Sequence, residues 1–119
     1  MYVIDENEEE YRFGNYGPKY LMKGPRMNFA LVQFMPGNDF KNHYHKVMEE
    51  NFYVIEGEID IVVDEKLVHL TPGQFIHIEP NEHHYVINRS GKKVKLVSTL
   101  APHIAVDKFE IENPDMTKF

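Results

Sequence analysis

A chain of 119 residues, 42% of them hydrophobic, fits one domain and can bury a core without covalent staples. It has no cysteine, so disulfides, thiolate metal sites and cysteine nucleophiles are excluded together, and any metal must be held by nitrogen and oxygen. Thirteen basic against 19 acidic side chains leave a net charge of −6, which argues against a nucleic-acid partner.

The chain opens on Met1-Tyr2-Val3-Ile4 and an acidic run from Asp5 to Glu10. That start has neither a basic region nor an apolar core, so it does not read as a signal peptide. No later apolar run reaches the roughly 20 residues of a membrane helix. A cytoplasmic location without membrane contact is the expectation. Residues 1–25, rich in Tyr, Gly, Glu and Asn, read as an N-terminal arm with one candidate edge strand, free to pack on the rest of the domain or on a second subunit.

Residues 26–112 then read as a run of strands. Asn28 to Met35 is mostly apolar and ends at Pro36-Gly37. Phe52 to Ile55 ends at Glu56-Gly57, and Ile59 to Val63 closes at Asp64-Glu65. Lys66 to Leu70 runs into Thr71-Pro72-Gly73, and Gln74 to Ile78 into Glu79-Pro80-Asn81. His84 to Asn88 precedes Arg89-Ser90-Gly91, and Val94 to Leu100 stops at Ala101-Pro102. Lys92, Lys93 and Lys95 form the only basic cluster and read as a solvated hairpin tip. The tail, 113–119, holds the one plausible helix start, at Asn113-Pro114-Asp115, and is too short to matter. Short strands parted by Gly, Pro and Asn turns point to an all-β sandwich or barrel.

Seven histidines are unevenly placed along this body. His43 and His45 flank Tyr44, and residues two apart on a strand share a face. Glu50 opens the next apolar strand, in phase with Phe52 and Val54. His84 begins a strand far along the chain, just after the Pro-Asn turn. Three neutral imidazoles and one carboxylate suit a divalent transition ion: Mn, Fe, Ni, Zn or Co. On a metal that accepts six ligands, two adjacent positions would stay free, and the centre would carry +1. A His-x-His pair by itself is more often two exposed histidines on an edge strand.

The wider spacing shifts that balance. Gly37, five residues, His43-Tyr44-His45, four residues, Glu50, six residues and Gly57 make one pattern. Gly73, five residues, Glu79-Pro80-Asn81, two residues, His84, three residues and Asn88 make a second. In these two motifs the chain resembles the cupin superfamily. The departures are Glu79 for a Pro and Asn81 for a Gly; Asn tolerates the left-handed backbone conformation, and neither change removes a ligand. The resemblance implies a double-stranded β-helix, or jelly-roll barrel, with a metal bound by His43, His45, Glu50 and His84. It also implies a homodimer.

Other residues qualify for lesser roles. Glu49 competes with Glu50 as the acidic ligand, but Glu50 keeps the six-residue interval to Gly57. His83 should face away from His84. His77 could line the pocket as a general acid or base, or be a half-buried strand histidine. Gln33, the one polar residue of its apolar stretch, could bind substrate or an internal backbone group. Phe52 and Val54 are expected to wall the substrate pocket. Tyr44, Tyr53 and Tyr85 should pack outward.

A complete ligand set points to a metal-dependent enzyme for a small oxygenated substrate such as a sugar, keto acid or hydroxy acid. Isomerisation, lyase and dioxygenase chemistry all remain open. The alternative is a non-catalytic small-molecule-binding protein for sensing or storage.

Overall fold

The computed structural model describes all of Met1–Phe119. Ten strands form it: β1 (Gly17–Lys23), β2 (Asn28–Phe34), β3 (Asp39–Tyr44), β4 (Glu49–Glu56), β5 (Ile59–Val63), β6 (Lys66–Leu70), β7 (Phe75–Ile78), β8 (His84–Ile87), β9 (Val94–Ala101) and β10 (Phe109–Glu110). They make two five-stranded antiparallel sheets, ordered β1-β2-β9-β4-β7 and β10-β3-β8-β5-β6. The inner faces pack together as a double-stranded β-helix, the jelly-roll solution to burying two half-apolar sheets. No helix is long and apolar enough to cross a membrane.

Alternation sets what each strand buries. Along β9, Val94, Leu96, Ser98 and Leu100 are buried and the residues between them are only partly so. Along β4 the inward series is Glu50, Phe52 and Val54. Val32, Phe34, Phe52, Ile61, Val86 and Leu96 belong to one apolar cluster that fills the barrel. Glu50 and His84 lie on the inner face just before that packing begins, since Phe52 and Val86, two residues further on, are already core. The polar centre therefore sits on an apolar floor.

Turn chemistry places the strands. Asp64 and Glu65 both take positive φ, as a two-residue hairpin turn between right-twisted strands demands. Asn81 takes φ 71° in the slot where the family pattern has Gly, and its N–H donates to the carbonyl of His45 at 2.6 Å. Gly37 and Asn88 bond through their backbones, which ties the start of the first motif to the end of the second.

The arm and tail are more integrated than their composition indicates. Gly17–Lys23, expected within an arm of 1–25, is a full edge strand paired with β2 from Gly17↔Gln33 to Lys23↔Asn28. Residues 113–119 lie against the second sheet: the Asn42 N–H donates to Asn113 Oδ1, and Arg89 Nη1 donates to the Phe119 carbonyl. Val62 and Tyr85, opposite in phase to inward Ile61 and His84, are also buried. The outer face of the first sheet carries a cross-strand row, Leu31, Val97, Tyr53 and Phe75, with Tyr53 and Phe75 exposed.

Candidate metal centre

His43 comes from β3, Glu50 from β4 and His84 from β8, while His45 lies one residue past the end of β3. His43 and His84 are direct cross-strand partners. The register slips between Phe40 and His43, and such a bulge re-aims the side chains that follow it. Here it leaves both Asn42 and His43 buried. All four side chains are buried, and their candidate ligand atoms lie within 4.8 Å of one another.

Each imidazole is held by its far nitrogen. Nδ1 of His43 lies 2.7 Å from the Lys41 carbonyl, Nδ1 of His45 lies 2.5 Å from that of Asp107, and Nδ1 of His84 lies 3.0 Å from that of Glu82. A carbonyl can only accept, so all three Nδ1 atoms donate, and Nε2 is the nitrogen turned toward Glu50 and available to a metal. All three Nε2 atoms converge on Glu50 Oε1, at 2.9 Å from His84, 3.4 Å from His45 and 3.9 Å from His43. The other carboxylate oxygen accepts from Ser98 Oγ at 2.9 Å. Orienting each ligand through its non-ligating atom is the usual second layer of a metal site.

The electrostatics agree with a donor set. Burial raises the Glu50 carboxyl, but hydrogen bonds from His43, His45 and His84 outweigh it and hold Glu50 well below the usual carboxylate range. Burial pulls His43 below the ordinary histidine value, only partly offset by Glu50. Burial acts the same way on His45, but Glu50 and Asp107 together carry it above the ordinary histidine value. A carboxylate that stays ionised among imidazoles fits a site for a divalent cation. These residues fit the ion that the motifs imply.

Above the centre lies a cavity of about 310 Å³. His43, His45, Glu50 and Ser98 line its floor, and Tyr20, Ala30, Val32, Phe40 and Leu100 line its walls. The loop before β1 closes one side with Arg12, Phe13 and Tyr16.

Several expected site residues fall elsewhere. His77 is on the outer face of the first sheet, because it pairs with Asn51, whose neighbour Glu50 points inward. Its Nδ1 meets Asn51 Oδ1 at 2.6 Å and its Nε2 meets Glu79 at 3.1 Å, away from the cavity. Gln33 is also outward, next to inward Val32, and its amide donates to the carbonyl of Asn15 at 2.9 Å. It braces the loop that lines the pocket instead of lining it. Phe52 and Val54 do face inward, but they belong to the packed floor below the cavity. Strand parity locates a face and says nothing of depth. Glu49 faces outward beside His77, as the spacing argument requires.

Two supporting residues had no part in the sequence reading. Ser98 was detectable as the one polar residue on the inward phase of β9. Asp107 was not, since nothing local marks it. Its carboxylate accepts from the N–H groups of Lys46, Val47 and Met48 at 2.9, 2.9 and 2.8 Å, and its carbonyl holds His45.

Comparison with known proteins agrees with this geometry. The family described as a cupin domain, Cupin_2, matches residues 30–100, which include all four candidate ligands. The chain is 33% identical over 67 residues to quercetin 2,3-dioxygenase of Bacillus subtilis strain 168, covering 56% of this chain and 19% of that protein. It is 29% identical over 91 residues to the polyketide synthase CurC of Streptomyces cyaneus, covering 74% of this chain and 58% of that protein. The chain thus spans less than two thirds of either relative. Among solved structures, a conserved protein with a double-stranded β-helix domain from Klebsiella pneumoniae superposes with a TM-score of 0.80 at 19% identity, over 95% of this chain and 99% of that one.

Proposed function

The chain belongs to the Cupin_2 family, and we propose that it is a metal-dependent enzyme acting on a small oxygenated molecule by isomerase, lyase or dioxygenase chemistry. The convergence of three histidine Nε2 atoms and a Glu50 oxygen on one point beneath a cavity supports this reading. His43, His45, Glu50 and His84 would hold one divalent transition ion, Mn, Fe, Ni, Zn or Co. When bound, such an ion supplies Lewis acidity to a substrate oxygen and, if redox-active, a seat for oxygen chemistry.

The protein's own part follows from its contacts. The three carbonyls at Nδ1 keep each imidazole aimed with Nε2 toward Glu50, so the ligands need no rearrangement to bind. Ser98 directs the Glu50 carboxylate by occupying its second oxygen. The apolar floor below Glu50 keeps water from reaching the centre from beneath. Tyr20, on the cavity wall, is held neutral because burial, and then the charge of Glu50, push its phenol above the ordinary range. A substrate in the cavity therefore meets a neutral O–H donor.

The test begins with metal content. Elemental analysis with native mass spectrometry should find a transition metal in the purified protein, and His84→Ala should abolish it while the barrel stays folded. A protein that takes up none of the five metals would overturn the proposal. Turnover by the loaded protein, screened by NMR against keto acids, hydroxy acids and sugars with and without oxygen, then separates the enzyme from a binding protein. A ligand bound tightly and recovered unchanged would favour the latter. The proposal includes a homodimer and a cytoplasmic location, checked by sedimentation and by cell fractionation.

A further inference from the structure

The mouth of the cavity differs in charge from the rest of the molecule. The chain carries a net −6. Around the cavity, however, stand Arg12 from the loop before β1, Lys41 from β3 and Lys108 from the segment before β10. None of the three forms an ion pair. The acidic groups of the same lining are Asp39 and Glu110, with Glu50 among the histidines at the bottom, and Asp39 accepts from the Tyr85 hydroxyl at 2.6 Å. Cations and carboxylates are thus balanced here on an otherwise acidic protein, and cations left out of ion pairs at a concave site are available to an anionic ligand.

The walls narrow the class further. Phe13, Tyr16, Tyr20 and Phe40 bring four aromatic rings to a cavity otherwise walled by Pro18, Ala30, Val32 and Leu100. A polyol would face more ring and aliphatic surface than polar surface. The Ser98 hydroxyl is given to Glu50 and the Asp39 carboxylate to Tyr85. What remains suits a flat apolar body with one charged end.

Arg12 is the best placed of the cations, because its segment is fixed. The Arg12 N–H donates to the Pro18 carbonyl at 2.9 Å, Phe13 to Tyr16 at 3.1 Å and Gly14 to Tyr11 at 3.1 Å. Gln33 braces the same loop at Asn15. Gly17, at φ 94°, lets Phe13 pack where a Cβ would come within 2.7 Å of its ring. The Arg12 guanidinium leans toward the Tyr20 ring, 5.9 Å from its centre, which keeps it beside the cavity with its donors free.

We propose that the site takes a planar, conjugated carboxylate, an aromatic or enolic acid, whose carboxylate is bound by Arg12 and whose ring system lies among Phe13, Tyr16, Tyr20 and Phe40. This rests on the same cavity as the proposed function and names its substrate class.

Calorimetry on the purified protein, with metal content measured alongside, tests it with three probes. Salicylate carries ring and charge, salicylamide keeps the ring without the charge, and lactate keeps a hydroxy acid without the ring. Salicylate should bind at least about tenfold more tightly than either, the scale of one charge-assisted hydrogen bond. Arg12→Met should remove the preference for salicylate over salicylamide, while the melting temperature and metal content stay as in the parent. The same ratio read on chelator-stripped protein keeps this result separate from the metal: absence of metal would overturn the proposed function, and loss of the Arg12 effect would overturn the substrate class. Equal binding of lactate and salicylate, or an unchanged preference in Arg12→Met, would refute the proposal.

Discussion

Gly57 and Gly37 close the two ends of one motif, yet they answer different needs. Both take positive φ, at 80° and 88°. A Cβ on Gly57 would lie 2.3 Å from the Lys93 carbonyl oxygen, whereas one on Gly37 would meet nothing within 4 Å. Gly57 is therefore required for space as well as conformation, because the backbone entering β9 passes directly over it. Gly37→Ala should cost about 1 kcal/mol, the ordinary strain of a left-handed non-glycine residue, and Gly57→Ala roughly 3 kcal/mol or more in urea unfolding. Equal costs would mean that the close approach relaxes freely. Asn88 belongs to the same class of residue. It is fully buried, donates to the carbonyls of Phe34 and Lys92, and accepts from Ser90, so it shapes the turn between β8 and β9 and stays clear of the metal centre. The spacing of these residues was legible in the chain. Which of them are candidate ligands and which shape the backbone was legible because imidazoles and carboxylates can ligate while Gly and Asn turn the backbone.

Among the elements, the connection between β3 and β4 governs the centre, since it joins three of the four ligands. It has no regular structure of its own, and its backbone N–H groups at Lys46, Val47 and Met48 are gathered by the Asp107 carboxylate. Burial would raise that carboxyl, but these N–H groups and the nearby His45 keep it below the ordinary aspartate value. Asp107→Asn retains the shape and loses acceptor capacity, setting an amide NH₂ against backbone donors. It should lower stability by about 2 kcal/mol in urea unfolding, and it should weaken metal binding about tenfold in a chelator competition, because loosening the 46–48 connection shifts His45 against the Asp107 backbone carbonyl that orients it. A stability loss with unchanged metal affinity would show that His45 is held without it. The strands themselves were readable: β5 and β6 fall where alternation and turn residues put them. The two-residue β10 was not, because so short a strand carries no period.

For the molecule as a whole, the fold is closed by its ends. Glu6, in a short 3₁₀ turn, receives Lys95 of β9 at 2.9 Å on both oxygens, and the Lys19 ammonium of β1 donates to its carbonyl at 2.9 Å. The Lys95 hydrogen bond and charge, with a smaller share from Lys19, outweigh burial and lower the Glu6 carboxyl below its usual value of 4.5. A depressed carboxyl stabilises the fold at pH above its unfolded value and loses that contribution as pH falls through the folded one. Glu6→Gln should accordingly reduce stability by about 0.5–1 kcal/mol near pH 7, and the gap to the parent should shrink steadily below pH 4.5 in thermal unfolding. A gap that is constant with pH would mean that shape and not charge holds the arm. The latch matters for the site, because the loop carrying Arg12, Phe13 and Tyr16 runs between Glu6 and β1.

The amino-acid order alone determined the strand-rich architecture, the turn positions and the four candidate ligands, because each rests on short-range information: a period of two, a left-handed turn or a ligating side chain at fixed spacing. Tertiary structure decided everything that depends on depth or on distant segments meeting. Phe52 shares the phase of Glu50 and still lies beneath the cavity, and His77 and Gln33 turn out to face outward. Arg12, Ser98 and Asp107 reach one site from three separate parts of the chain. Local alternation constrains direction, and only closure of the two sheets fixes which directions converge.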